Sequence, residues 1–172
     1  MNVVLVGFMA SGKTAVGRRV ARRLGYAFLD TDHLIEDELG CSIAELFETQ
    51  GEAVFRKVES AVAERLDELD NHVISTGGGL LTQPGNIERL RRAGLVVFLQ
   101  ADQEEIIERL QRDTRRPLVQ GGDLREKVTR LYGERLPLYA QSDVTIQTKG
   151  MSVNKVAAEV IRAMTTGIPA RA

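Results

Sequence analysis

The sequence is poor in the residues that usually mark metal centres and disulfide-stabilised folds. Its 172 residues include no tryptophan, one cysteine, two histidines and four prolines. The single Cys41 excludes an internal disulfide and is typical of a reducing compartment, so we expect a cytoplasmic protein. Two histidines and one cysteine are too few and too scattered for a convincing zinc site.

Long apolar runs and an excess of one charge are also missing. No apolar stretch approaches the length of a membrane span, and no signal peptide precedes the first predicted strand, so we expect no membrane association. Lys and Arg number 23 against 24 Asp and Glu, for a formal net charge of −1. The chain as a whole is therefore no electrostatic match for nucleic acid. No large apolar interface is indicated, and we expect a monomer.

Short apolar runs separated by segments of helical periodicity make up most of the chain. The runs are NVVLV (2–6), YAFLD (26–30), HVIST (72–76), LVVFLQ (95–100) and SDVTIQ (142–147). Because they mostly lack a clean alternation, they predict strands buried on both faces of a parallel sheet. Helices are predicted at 14–24, 33–40, 42–51, 55–69, 86–92, 102–112, 123–136 and 152–165. This order indicates one α/β domain of residues 1–172 with right-handed crossovers.

The segment GFMASGKT (7–14) matches the phosphate-loop motif G-x-x-x-x-G-K-[ST] in full, between a predicted strand and a predicted helix. Glycines let successive backbone N–H groups point at phosphate oxygens, and the helix adds its positive end. Lys13 would reach the β- and γ-phosphates, and the Thr14 hydroxyl would ligate Mg²⁺. The motif predicts nucleoside-triphosphate binding. A short chain without the guanine-reading motif N-K-x-D favours a small-molecule or nucleotide kinase.

A pair of carboxylates follows the second predicted strand, in the sequence Leu29-Asp30-Thr31-Asp32. The carboxyl ends of strands are where ligands bind in open α/β sheets. One carboxylate could hold Mg²⁺ and the other could accept the proton of an attacking hydroxyl. For Asp32, helix capping is the alternative, since an Asp here also suits the start of the helix HLIEDELG.

Three consecutive glycines, at 77–79, follow the third predicted strand. Such a run is costly, because glycine loses more backbone freedom on folding than any other residue. We interpret it as a place where the backbone must closely approach a bound acceptor molecule. A tight turn made only for chain reversal is the alternative, although one glycine usually suffices for that.

The segments GFMASGKT, LDTD, FRKVE, TGGG, RRPL and ERLPLY, in this order and spacing, resemble the shikimate kinases. The likeness runs from the first strand to about residue 147. It implies a Mg²⁺-dependent enzyme that binds ATP and shikimate and phosphorylates the 3-hydroxyl of shikimate. It also implies a three-layer P-loop kinase fold with a five-stranded parallel sheet flanked by helices, a substrate-binding subdomain at about 32–62 and a mobile lid at about 112–123.

The resemblance assigns roles to individual residues of this chain. The catalytic residues would be Asp32, the presumed base, together with Lys13 and Arg116 of the lid. ATP would be bound by Ala10, Ser11, Gly12, Lys13, Thr14, Ala15, Arg109 and Arg116, with Arg109 stacking on the adenine. Shikimate would be bound by Asp32, Arg56, Gly77, Gly78, Gly79 and Arg135. The metal would be held by Thr14 and Asp30, and Glu59 would orient Arg56.

Other interpretations of the same residues stay open. Arg56 could belong to an ordinary solvated helix face with an i,i+3 ion pair, and Arg135 could be the C-terminal charge of a helix that ends before Pro137. Arg116 could lie in a plain charged loop. Ala10 stands where the family often has glycine, and a positive φ there would cost on the order of 1 kcal/mol. The alternative functions are a kinase for another polyol acid such as gluconate, and a non-catalytic nucleotide-binding module.

Overall fold

Five parallel strands form a central sheet with helices on both faces in the computed structural model, which describes residues 1–112 and 123–166. The strands are β1 (Asn2–Val6), β2 (Ala27–Asp30), β3 (His72–Ser75), β4 (Gly94–Gln100) and β5 (Val144–Gln147). The helices are α1 (Lys13–Leu24), α2 (Thr31–Leu39), α3 (Ile43–Gln50), α4 (Glu52–Arg65), α5 (Asn86–Ala93), α6 (Gln103–Arg112), α7 (Leu124–Tyr139) and α8 (Val153–Thr165). Short 3-10 turns lie at Leu66–Glu68 and Leu80–Thr82.

The strand order is β2-β3-β1-β4-β5. Val4 of β1 is paired with Ile74 of β3 on one side and with Val96 of β4 on the other. The chain leaves β1 towards one side of the sheet and returns later to the other, so β1 borders the point where the strand order reverses. Ligands bind at the carboxyl edge beside such a point in open α/β sheets. The predicted phosphate loop, acidic turn and triple glycine follow β1, β2 and β3 and therefore meet at this edge.

The alternating side chains of β1 divide the core into two layers. Val3 and Leu5 pack with apolar residues of α1 and α8, whereas Val4 and Val6 pack with the larger group of helices on the other face. The three central strands are buried on both faces, as predicted. Strands β2 and β5 lie at the edges and are partly exposed, so the prediction of full burial was wrong for them.

Most element boundaries agree with the sequence pattern, with two exceptions. Ser42 and Glu45 form the reciprocal capping box that begins α3. Helix α7, predicted to end at 136, instead continues through Pro137 to Tyr139. A proline removes one intrahelical hydrogen bond, but the turn around it is kept because the Ala140 N–H donates to the Leu136 carbonyl at 3.0 Å. The predicted helix 55–69 is divided into α4 and the first 3-10 turn.

Of the two predicted subregions, one lies within the described residues and the other lies almost entirely outside them. Residues 32–62 comprise nearly all of α2, all of α3 and most of α4, and their role as a substrate-binding subdomain stays a prediction. The predicted lid at about 112–123 lies, except for its two end residues, outside the described residues. Within the described ranges, the helices are all too short or too polar to cross a bilayer.

Candidate active site

Two neighbouring cavities open at the carboxyl edge of the sheet. The phosphate-loop cavity, of about 510 Å³, is lined by residues 10–16 and by Arg109, Thr148, Met151, Val153 and Val156. The glycine-loop cavity, of about 270 Å³, is lined by charged, aromatic and glycine residues that include Asp32, Arg56, Glu59, Arg135 and the triple glycine. Met9 lines one cavity and Ala10 the other, so the two adjoin along the phosphate loop.

The phosphate loop curls around the ammonium group of Lys13. Lys13 Nζ donates to the carbonyls of Gly7 at 2.8 Å and Phe8 at 2.9 Å, and only 8% of the residue is exposed. Helix α1 begins at Lys13, so the free N–H groups of its first turn lie at the same place. A buried cation and a helix N-terminus make this cavity suited to an anion such as a phosphate chain.

Ala10 adopts a left-handed backbone conformation with φ 58°. The positive φ considered from the sequence is therefore present, and alanine is strained here by about 1 kcal/mol relative to glycine. The Ala10 carbonyl accepts a hydrogen bond from Arg109 Nη1 at 2.9 Å, and Arg109 Nη2 is paired with Glu105 at 3.2 Å. Arg109 thus borders the phosphate-loop cavity; adenine stacking by it stays a prediction.

Thr14 and Asp30 are brought together, as a shared metal site would require. Thr14 Oγ1 donates to Asp30 Oδ2 at 2.9 Å. No group of three or more His, Cys, Asp or Glu side chains suited to a metal is present in the described part of the chain. One carboxylate and one hydroxyl are a donor set that fits Mg²⁺, which usually takes its remaining ligands from substrate phosphates and water.

Asp30, and not Asp32, is the residue that caps α2. Asp30 Oδ1 accepts a hydrogen bond from the Asp32 N–H at 3.1 Å. The capping interpretation of Asp32 was therefore wrong. Asp32 lies in the first turn of α2, and it lines the glycine-loop cavity.

Arg56 is buried against two carboxylates rather than exposed on a solvated helix face. It is 7% exposed, its Nη1 donates to Glu59 Oε2 at 2.5 Å and its Nη2 to Glu52 Oε1 at 2.9 Å. The predicted i,i+3 pair with Glu59 is present, but the surface interpretation was wrong. Because Arg56 also lines the cavity, its guanidinium is a charged wall of the glycine-loop cavity.

Glu59 is fully buried behind this guanidinium. Burial raises the pKa of Glu59 to about 7, in spite of the opposing attraction of Arg56. Its Oε1 atom is buried and has no hydrogen-bond partner among the described residues. Glu59 is therefore poised between its two protonation states near neutral pH.

Arg135 provides a second buried guanidinium to the same cavity. It is 5% exposed, its Nη1 donates to the Gly78 carbonyl at 3.3 Å and its guanidinium carbon lies 5.6 Å from the centroid of the Phe8 ring. The interpretation of Arg135 as a helix C-terminal charge was wrong, because α7 continues past it. Two guanidinium groups in one cavity can bind a carboxylate from two sides.

The triple glycine is crowded by the protein itself. A Cβ at Gly77 would lie 2.5 Å from Asp32 Oδ1 and 2.7 Å from Glu59 Oε1, and one at Gly79 would overlap the Arg56 guanidinium. At Gly78 a Cβ would lie 3.0 Å from the Met9 nitrogen. The glycines thus make room for three charged side chains and for the phosphate loop of the protein itself.

Several residues in or beside the cavity were not predicted to be functional. Phe47 and Phe55 both line the cavity, with ring centroids 4.9 Å apart. Thr31, between the two aspartates, accepts a hydrogen bond from the Gly77 N–H at 3.0 Å. Tyr139 donates to the Gly78 carbonyl. The sequence feature that could have identified Tyr139 is its position four residues after Arg135, which places both on one face of a helix.

The predicted site residues are largely brought together. Those predicted to bind ATP line the phosphate-loop cavity: Ala10, Ser11, Gly12, Lys13, Thr14, Ala15 and Arg109. Those predicted to bind the acceptor line the glycine-loop cavity: Asp32, Arg56, Gly77, Gly78, Gly79 and Arg135. Arg116 lies outside the described residues. The arrangement places a phosphate-binding loop beside a small cavity with two cations and a carboxylate.

Known proteins share this fold and align with most of this chain. The family model for shikimate kinase matches residues 9–165. A shikimate kinase of Caldanaerobacter subterraneus subsp. tengcongensis is 44% identical over 94% of this chain and 95% of its own length. A solved shikimate kinase from Acinetobacter baumannii, in complex with shikimate, is 38% identical with a TM-score of 0.92, over 96% of this chain and 93% of its own.

A gluconokinase from Sinorhizobium meliloti is more distant. It is 15% identical with a TM-score of 0.59, over 96% of this chain and 91% of its own, and it therefore shares the fold alone. The family model, by contrast, spans most of the chain and includes the phosphate loop from Met9 onwards, the acidic turn and the triple glycine. The chain belongs to the shikimate kinase family.

Proposed function

We propose that this enzyme transfers the γ-phosphate of ATP to the 3-hydroxyl of shikimate, giving shikimate 3-phosphate and ADP. The observation that carries the proposal is the glycine-loop cavity: Arg56, Arg135 and Asp32 line one small space that adjoins the phosphate loop. A compact polyol acid carries both features that this lining recognises, a carboxylate and several hydroxyls.

The two arginines would bind the carboxylate of the acceptor. Both are buried, and Arg56 is kept in place by Glu59 at 2.5 Å. Guanidinium groups bind carboxylates through parallel N–H donors, which fixes orientation as well as position. The ring would lie beside Phe47 and Phe55, with its hydroxyls towards Asp32 and the backbone of residues 77–79.

Asp32 would orient the attacking hydroxyl and accept its proton. The hydroxyl oxygen forms a bond to the γ-phosphorus while the bond from that phosphorus to the β,γ-bridging oxygen breaks, and ADP leaves. Because phosphoryl transfer has a loose transition state, positioning and charge neutralisation supply most of the catalysis. The adjoining cavities favour this positioning, since donor and acceptor would meet where the Gly78 backbone comes close to Met9 of the phosphate loop.

Charge on the phosphates would be neutralised from several directions. The ammonium of Lys13 lies inside the loop, and Arg116 would reach the phosphates from the predicted lid. Thr14 and Asp30 would hold Mg²⁺, which would supply positive charge against the negative charge that develops on the phosphates. The adenine would lie between Arg109 and residues 148–153, part of which lines the same cavity.

We also propose that the enzyme acts as a monomer. The exposed large hydrophobic side chains of the described part are Met1, Leu39 and Val153, which are too few for an apolar dimer interface. Sedimentation at assay concentration would test this, and a dimer mass would contradict it. The cytoplasmic location inferred from the sequence stays a prediction.

An acceptor comparison tests the proposed reaction. Mg-ATP consumption would be measured with shikimate, with gluconate and with no acceptor. We expect turnover with shikimate alone, because two arginines, a carboxylate and the backbone of residues 77–79 suit a cyclic acid. Turnover with gluconate but not with shikimate would refute the proposal that shikimate is the acceptor. ATP binding without turnover of either acceptor would favour a non-catalytic nucleotide-binding module.

A further inference from the structure

Tyr139 lies behind the glycine-loop cavity, and the reaction outlined above gives it no task. The residue is 2% exposed, and its hydroxyl donates a hydrogen bond to the carbonyl of Gly78. Its ring stacks on Phe98 of β4, with centroids 5.0 Å apart and an interplanar angle of 27°. The hydroxyl is thus held at the end of a rigid ring that is fixed to the central sheet.

The Gly78 peptide needs such a support more than its neighbours do. The carbonyl of Gly77 accepts from the Leu80 N–H at 3.2 Å, and that of Gly79 from the Thr82 N–H at 2.9 Å, so both belong to a local turn. The carbonyl of Gly78 instead accepts from two side chains of α7, Tyr139 and Arg135. Since three glycines in a row have soft backbone dihedrals, these long-range bonds fix the middle peptide.

The unexpected length of α7 makes this double contact possible. Residues four apart on a helix lie on the same face, so Arg135 and Tyr139 point together at the loop only because the helix continues through Pro137. A helix that ended at 136 would leave Tyr139 in an irregular connection. The extra turn therefore serves the cavity rather than the core alone.

Gly78 also touches the donor side of the site. A Cβ on this residue would lie 3.0 Å from the Met9 nitrogen and 3.6 Å from the Gly7 carbonyl oxygen, both in the phosphate loop. A shift of the Gly78 peptide would therefore change the distance between the phosphate loop and the backbone that would bind the acceptor. Displacements of about 1 Å between reacting groups cost on the order of 100-fold in rate.

We propose that Tyr139 is a positioning residue for phosphoryl transfer: its hydroxyl, with Arg135, fixes the Gly78 peptide and so aligns the acceptor with the phosphate loop. Burial raises the pKa of Tyr139 to about 12, which keeps the hydroxyl a donor at every pH where the enzyme would be assayed. This inference rests on the proposed function, since it concerns the alignment of that acceptor.

The variant Tyr139→Phe removes only the hydroxyl. We expect kcat/KM for shikimate to fall on the order of tenfold, because one hydrogen bond to a buried peptide is lost, while the KM for ATP stays within about twofold. The matched control is Tyr132→Phe on the same helix, whose hydroxyl donates to the Ala101 carbonyl at 3.1 Å and does not touch the triple glycine. We expect the two variants to lose similar amounts of thermal stability and only Tyr139→Phe to lose activity.

Amide hydrogen exchange at residues 77–79 provides a second measurement that needs no substrate. Faster exchange in Tyr139→Phe, but not in Tyr132→Phe, would support the proposal even if wild-type turnover showed a different acceptor. Any of three results would overturn the proposal. They are unchanged shikimate kinetics in Tyr139→Phe, an equal loss of activity in Tyr132→Phe, and equal rises in the KM for shikimate and the KM for ATP in Tyr139→Phe. Absence of wild-type turnover with shikimate would instead refute the proposed function.

Discussion

Glu59 should make the stability of the protein fall as pH rises through neutrality. Burial raises its pKa from the ordinary 4.5 to about 7 in the folded protein. Between these values the folded state binds the Glu59 proton and the unfolded state does not, so the free energy of unfolding decreases with pH. The stabilisation is complete below pH 4.5 and is lost as pH rises through 7.

The size of the effect follows from the separation of the two pKa values. A difference of one pKa unit corresponds to about 1.4 kcal/mol, so the whole window amounts to about 3 kcal/mol, of which about 2.5 kcal/mol falls between pH 5 and pH 8. Carboxylates such as Asp102 and Glu104 have pKa values lowered by their partners and act below this window, with the opposite sign. The acidic and neutral ranges can therefore be separated.

Urea unfolding at pH 5, 6, 7 and 8 would measure this dependence. We expect Glu59→Gln, which cannot titrate, to lose about 2 to 3 kcal/mol less than wild type across this range. The matched control is Glu52→Gln, which removes the exposed partner of the same guanidinium and should keep the wild-type slope. Parallel curves for wild type and Glu59→Gln would refute the argument that burial outweighs the Arg56 ion pair.

Three further substitutions test single features of the site. Ala10→Gly should raise the free energy of unfolding by about 1 kcal/mol, because φ 58° costs glycine nothing. Ala61→Gly, at an exposed position of helix α4, should lower it by a similar amount, and a loss of stability in both variants would remove the strain argument. Asp32→Asn should cut kcat by at least about 100-fold with ATP affinity nearly unchanged, and retained turnover would exclude Asp32 from the chemistry. Gly79→Ala should raise the KM for shikimate more than that for ATP, because its Cβ would displace Arg56; equal changes would contradict that placement.

Features that depend on a few neighbouring residues were predictable from the sequence. The phosphate loop and the five strands follow from local patterns, and the structure confirms both. The meeting of the acidic turn with the triple glycine followed from topology, since both come after parallel strands. Family resemblance added residue roles that the pattern alone left undecided.

Features that depend on distant contacts were not predictable. The hydrogen bonds from Arg135 and Tyr139 to Gly78 join residues that are 57 and 61 positions apart. Because Pro137 led us to predict that the helix ends at 136, the sequence pattern did not place Tyr139 on it. The segment FRKVE looks like a polar helix surface, and only the packing of distant elements against α4, the triple glycine among them, buries Arg56 and Glu59. The sequence indicates that the triple glycine is costly, but the reason for it lies in side chains from other elements.

The product of the reaction tests the central claim most directly. Purified enzyme would be incubated with Mg-ATP and shikimate, and the product examined by phosphorus–proton correlation NMR. The account predicts a new phosphate monoester whose phosphorus couples to the proton at carbon 3 of shikimate, with one ADP formed for each ester. A phosphate on another hydroxyl, or ADP released with free phosphate and no ester, would contradict it.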